Sequence, residues 1–471
     1  MKKVVSLLLV ILILAVCFSA YAQNPISQSV TVEGSIFGGL ADDKIAAQIT
    51  FDTKWLTEND NRTYQPELAQ FCALLSADSY FREKDYAKQR QNRVLFNASN
   101  EADYDFTMFL RNLGFEQVEH YESYLVQESP IDTNDSVTLT IGHQVVDEKY
   151  DVYALVIRGC FSAQEWCSAF DPGCAGEAYT EMTGEHPDWT EAEHFKGTDI
   201  AANRALSYVE AFMRQNGSDS LPDRILITGH SRGGGVANLL GAYFEKMEGV
   251  TPYTYTFNTP GVTVSADVRN YETIFNIYDT NDLLVDLFPF ANDAFERYGK
   301  DLSVSISESE EIKNTIADLK GRNDYTCISV ETAEQYHTLF ALRFPSREML
   351  YDQETVSRTY ETKEKAEEAR NECLTFISSD AGLRLEEFCK VGEIVQENDG
   401  SFSFTLTYCG AALLRTNAMI LSYGDTAYNA AASLFAEDEL GVEIGLLLAE
   451  NTAVINSGHL LANSYVIAGN F

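Results

Sequence analysis

Five residues, Gly229-His230-Ser231-Arg232-Gly233, constrain the chain more than any other stretch. They follow the apolar run 225–228. They precede a segment in which Val236, Leu239, Leu240, Tyr243, Phe244 and Met247 recur at helical spacing. A turn from strand to helix over so few residues is tight. Glycines at 229 and 233 remove the Cβ atoms that would clash, and the serine Oγ is thrust outward. The helix opening behind the serine aims backbone N–H groups at the same point. Ser231 is therefore a candidate nucleophile, with Gly229 and Gly233 as the flanks of its elbow. The alternative is a plain glycine-rich turn. It leaves the strand before, the helix after and the small residues Gly234, Gly235 and Ala237 unexplained.

The surrounding pattern alternates strand and helix. Residues 136–141 alternate Val137, Leu139 and Ile141 with polar neighbours, and 152–157 is a nearly continuous apolar run. Residues 198–213 read as a helix capped by Thr198 and closed near Gly217. Further strands are expected at 225–228, 253–258 and 273–278. Upstream, Leu68, Phe71, Cys72 and Leu75, and then Phe106, Phe109, Leu110 and Leu113, carry helical spacing, with Gly114 as a stop. The expectation is an α/β fold with a mostly parallel central sheet covered by helices on both faces. Residues 23–50 read as a short lead-in. Residues 301–400 break the rhythm with dense charge, as at 361–370, and read as a solvated helical insertion or as a cap over the site. One domain, 23–471, would hold the core motifs at about 150–290.

Across that core the motifs, in order, resemble the class 3 lipase family of the α/β-hydrolase superfamily. Val156-Ile157-Arg158-Gly159-Cys160 is similar to the family's strand ending in Arg-Gly-Thr or Arg-Gly-Ser, and Trp166 stands where a Trp often follows. His194-Phe195-Lys196-Gly197 resembles a His-x-Gly-Phe helix start with Phe and Gly exchanged. Ile227-Thr228-Gly229-His230-Ser231-Arg232-Gly233-Gly234 resembles the family's elbow, with Arg232 in place of the usual Leu. Tyr255-Thr256-Phe257-Asn258-Thr259-Pro260 and the Asn281-to-Pro289 segment resemble Tyr-Thr-Phe-Gly-x-Pro and Asn-Asp-x-Val-Pro-x-Leu-Pro.

A serine hydroxyl needs a base to take its proton, and the base needs a carboxylate to orient it. In this superfamily acid and base follow the serine in the chain. The resemblance selects Asp282 as the acid, with Asp279 and Asp286 as runners-up. Two histidines follow Ser231. His459, in Asn456-Ser457-Gly458-His459 ahead of Tyr465, resembles the family's late histidine, and His337 reads as a structural polar residue. The resemblance also puts the oxyanion hole at the backbone amides of Cys160 and Arg232, and a lid at 161–193. In that lid Phe161, Trp166 and Phe170 are either an apolar face or core. The implied activity is carboxylic-ester hydrolysis, on triacylglycerol or acylglycerol substrates at a lipid–water interface. A carbohydrate-ester (feruloyl-type) esterase is the alternative. The altered Cys160 and Arg232 also keep open a catalytically inactive binding protein on the same scaffold.

Composition sets the remaining limits. The formal charge is −37, a field that repels phosphate backbones, so nucleic acid is not an expected partner. Lys2 and Lys3, the apolar run 4–18 and Ala20-Tyr21-Ala22 read as a signal peptide cleaved after residue 22, implying secretion. The run is too short to span a bilayer. Nine cysteines are present, and Cys17 would leave with the leader. The other cysteines are expected as a mixture of disulfides and buried thiols. No paired-Cys or His-x-x-x-His cluster appears, so no metal or other cofactor is expected.

Overall fold

The structure, a computed structural model, describes residues 29–37, 44–80, 105–122, 137–160, 163–169, 194–263, 267–282, 285, 295–319, 353–378, 385–410, 412, 415, 416 and 461–471. Its strands are β1 (Ser29–Phe37), β2 (Lys44–Asp52), β3 (Gln117–Glu122), β4 (Thr138–Val146), β5 (Tyr150–Ile157), β6 (Asp223–His230), β7 (Val250–Phe257), β8 (Ile274–Asp279), β9 (Lys300–Val304), β10 (Gln353–Tyr360), β11 (Cys389–Val391), β12 (Val395–Gln396) and β13 (Phe402–Cys409). The principal helices are α1 (Pro66–Asp78), α2 (Asp105–Asn112), α3 (Ala163–Ala169), α4 (Lys196–Asn216), α5 (Arg232–Lys246), α6 (Glu310–Leu319), α7 (Lys363–Ser378) and α8 (Leu461–Ala468).

Seven strands form the central sheet in the order β3-β4-β5-β6-β7-β8-β9. β3, β4 and β5 pair antiparallel, and every pair from β5 to β9 is parallel. The expected mostly parallel sheet with flanking helices is present. Its physical basis is the two-residue period of the buried strands. On β5, Val152, Ala154 and Val156 join one apolar cluster with Leu68, Phe71 and Leu75 of α1 and Ile467 of α8. Tyr153, Leu155 and Ile157 join the opposite cluster with Val209 of α4 and Leu239 of α5. A strand apolar at every position can satisfy this only when both faces are covered.

Several local expectations shift. Residues 29–37 and 44–52 pair as β1 against β2 in antiparallel register, where a short lead-in was expected. Helix α4 begins at Lys196 with Phe195 as its N-cap and no side-chain cap. Thr198 therefore lies inside the first turn, because its N–H and that of Asp199 already reach the Phe195 carbonyl at 3.1 and 2.9 Å. In the stretch 301–400, α6 and α7 are the helical part of the expected insertion. The same stretch also carries β9 of the central sheet and β10, β11 and β12, which pair with β13 or its sheet in a separate antiparallel unit. Cys72, Cys160, Cys389 and Cys409 are buried free thiols, and Cys373 is buried as well. The signal segment and the remaining cysteine side chains lie outside the described residues.

Candidate active site

Ser231 sits between β6 and α5 with φ 57° and ψ −132°, a backbone conformation that costs a residue with a Cβ about 1–3 kcal/mol. Packing enforces it. A Cβ on Gly233 would lie 2.5 Å from the Ile157 and Arg158 carbonyl oxygens, and one on Gly229 would collide with the Gly233 carbonyl. Only glycine lets β5, β6 and α5 approach this closely. The Ser231 N–H donates to the Phe257 carbonyl at 2.9 Å, tying the turn to the end of β7. The side chain is 2 % exposed, and its Oγ makes no hydrogen bond to any described residue.

The chain after β5 runs alongside. A Cβ built on Gly159 would lie 3.1 Å from the Ser231 Cβ, so Gly159-Cys160 borders the serine. The side chains of the two expected oxyanion donors are turned elsewhere. Cys160 Sγ donates to the Glu165 carbonyl at 3.4 Å, and burial pushes its thiol well above the ordinary range, so it is no competing thiolate. Arg232 Nη2 donates to Ser168 Oγ at 2.7 Å and to the Gly197 carbonyl at 3.1 Å. The unusual Cys and Arg thus address the scaffold with their side chains.

Asp282 is 1 % exposed and lies just beyond β8, at the same carboxyl edge of the sheet as Ser231 beyond β6. A ligand crevice in an open α/β sheet forms at this edge. Asn258, at the end of β7 between them, donates from Nδ2 to Asp282 Oδ2 at 2.6 Å. Its φ of 48° is the left-handed conformation that Asn tolerates best after Gly. That accounts for Asn where the resemblance leads one to look for Gly. Asn258 Oδ1 accepts in turn from Ser464 Oγ of α8 at 2.7 Å. His459, His337, His186 and Asp286 lie outside the described residues, as do Phe161 and Phe170. Trp166 is buried.

The four described histidines are each held by other partners. His120 meets Thr140 and Glu122, His143 meets Asp151, and His194 meets Asp199 and Tyr298. His230, next to the serine, meets the Tyr80 hydroxyl through Nδ1 at 2.9 Å. Tyr80 is a site residue that no local sequence signal announced. Its hydroxyl occupies the space a Cβ on Gly159 would need, so it fastens the chain beyond β5 to the elbow. Among the described residues no group of three or more His, Cys, Asp or Glu is arranged to hold a metal.

Asp279, a runner-up acid, is committed to its own loop. Its Oδ1 accepts from the Asn281 and Ile306 N–H groups at 3.0 and 3.3 Å. Burial, reinforced by the Asp282 charge and opposed by those N–H groups, pushes its carboxyl up to about 7. Because the folded state holds this proton more tightly than the unfolded chain does, its contribution is full below about pH 4. It is lost as pH rises through about 7. Asp279→Asn keeps the acceptor and cannot ionise. We expect it to match the wild type near pH 4 and to be more stable by about 2–4 kcal/mol at pH 8. Denaturant melts of both proteins at pH 4, 6 and 8 check this; a difference independent of pH would contradict it.

The class 3 lipase family profile matches residues 154–291. No curated protein matches the chain. Among solved structures, a Rhizomucor miehei triacylglyceride lipase is 15 % identical, covering 57 % of this chain and 91 % of its own, with a TM-score of 0.34. A triacylglycerol lipase described as having a serine protease triad is 17 % identical over 54 % of this chain and 89 % of its own, TM-score 0.33. The Yarrowia lipolytica Lip2 lipase is 20 % identical over 41 % and 69 %, TM-score 0.28. Over 154–291, the stretch that contains Cys160, the Ser231 elbow and Asp282, the chain is similar to the class 3 lipases, a match that supports a carboxylic-ester hydrolase.

Proposed function

We propose that this is a serine hydrolase of lipid esters, a triacylglycerol lipase or acylglycerol esterase, using Ser231, His459 and Asp282. The observation that carries the reading is the strained Ser231 elbow with Asp282 held at the neighbouring strand ends through Asn258. A second link supports His459 as the base. Ser464 binds Asn258, and His459 precedes α8 by two residues, a tether of at most ~7 Å from Leu461. The other histidine after Ser231, His337, lies farther along the sequence from any described residue.

In this mechanism His459 takes the Ser231 proton as Oγ attacks the ester carbonyl, and Asp282 stabilises the imidazolium. The N–H groups of Cys160 and Arg232 receive the oxyanion, and collapse expels the alcohol, which takes the proton from His459. Water activated by the same imidazole then releases the acid from the acyl-enzyme. The protein would act at a lipid–water interface after export, the exported chain beginning at Gln23. A feruloyl-type esterase shares this chemistry, so the substrate series decides. We expect long-chain glycerides and nitrophenyl esters to be hydrolysed with kcat/KM at least tenfold above feruloylated sugars. The reverse order would replace the lipase reading with the carbohydrate-ester one.

A further inference from the structure

Helix α3 touches both segments that carry the oxyanion donors, and it does so through two residues three positions apart. Glu165 and Ser168 share one helical face, and both are fully buried. At the Glu165 end, Arg158 Nη2 donates to both carboxylate oxygens at 3.3 Å and to Thr138 Oγ1 at 3.0 Å. The Glu165 main-chain carbonyl accepts the Cys160 thiol. This end therefore grips the residue two before the first donor and the donor residue itself. At the Ser168 end, the hydroxyl accepts from Arg232 and donates to the Gly197 carbonyl at 2.8 Å. Arg232 also reaches that carbonyl. This end grips the side chain of the second donor residue and anchors it to the start of α4.

We infer that α3 is a brace that sets the spacing of the two oxyanion N–H groups, with Glu165 and Ser168 as positioning residues. The inference rests on the oxyanion reading of Cys160 and Arg232 above. Its logic is geometric. An oxyanion hole works because its donors are fixed before charge develops. The two donors here lie beyond different strands, Cys160 after β5 and Arg232 at the start of α5, 72 residues apart in sequence, and α3 hydrogen-bonds to both donor residues. Hydrogen bonds between buried side chains give little slack. Neither Glu165 nor Ser168 touches the reacting atoms in this scheme, so their loss should register in the transition state and not in ester binding.

Ser168→Ala removes one hydroxyl and adds no bulk, and Glu165→Gln keeps the shape while weakening the grip on Arg158. We expect each to lower kcat on nitrophenyl butyrate about tenfold, a fraction of the ~100- to 1000-fold cost of deleting a donor outright. KM should stay within about twofold. Affinity for a trifluoromethyl ketone, which forms the tetrahedral adduct, should fall in step with kcat. If Glu165→Gln does not fold, the smaller Ser168→Ala carries the test alone. A loss confined to KM, or unchanged kcat and inhibitor affinity in an active background, overturns the brace and leaves the hydrolase reading intact. A wild type that neither hydrolyses esters nor binds the ketone overturns both.

Discussion

Replacing Ser231 by Ala is expected to lower kcat for nitrophenyl esters by ~10⁶-fold, the scale seen when a triad nucleophile is removed, while the protein stays folded. The Oγ is buried without a hydrogen-bond partner among the described residues. Its removal breaks no hydrogen bond among the described residues. Alanine keeps a Cβ, so the φ 57° strain remains. Thermal stability should therefore equal or slightly exceed that of the wild type. A loss of activity with a gain in stability is the signature of a group kept for chemistry. A destabilised Ser231→Ala variant that stayed active would mean that the serine is structural and the nucleophile lies elsewhere.

The second large effect is expected at Asp282. Asp282→Asn should cost ~10⁴-fold in kcat, the loss that follows when the orienting carboxylate becomes an amide. The local geometry sharpens this. Asp282 Oδ2 accepts from Asn258 Nδ2. An amide at 282 would either set one NH₂ against another or turn its NH₂ toward the imidazole. One of the two partners is lost in either rotamer. Asp279→Asn, whose acceptor oxygen stays engaged with the Asn281 and Ile306 N–H groups, should keep more than half of the activity. Steady-state kinetics on the two variants separate the acids. Equal losses would contradict the assignment of Asp282 alone.

The legible part of this protein was the part governed by local pattern. Strands β5, β6 and β8 carry short apolar runs and β7 alternates tyrosine with threonine, and α4 and α5 are amphipathic or small-residue helices. Together these make the parallel sheet readable, and the glycines around Ser231 mark its turn. The hidden part depends on contacts between distant segments. Tyr80 meets His230 across 150 positions, and Ser464 meets Asn258 across 206. Neither contact leaves a periodic trace. Strand β9 was folded into the charged insertion because it is an edge strand with partly exposed residues throughout, which do not form an apolar run. Arg232 read as a defect in the elbow, since its ties to Ser168 and Gly197 become visible only when α3 and α4 are in place.

The most direct measurement is covalent labelling with a fluorophosphonate, with the adduct mapped by peptide mass on the wild type, His459→Ala and His337→Ala. The expected result is one adduct, on Ser231, at undiminished rate in His337→Ala and all but lost in His459→Ala. A wild-type chain that takes no label at Ser231, or one that labels as fast without His459, would contradict an activated serine served by that imidazole.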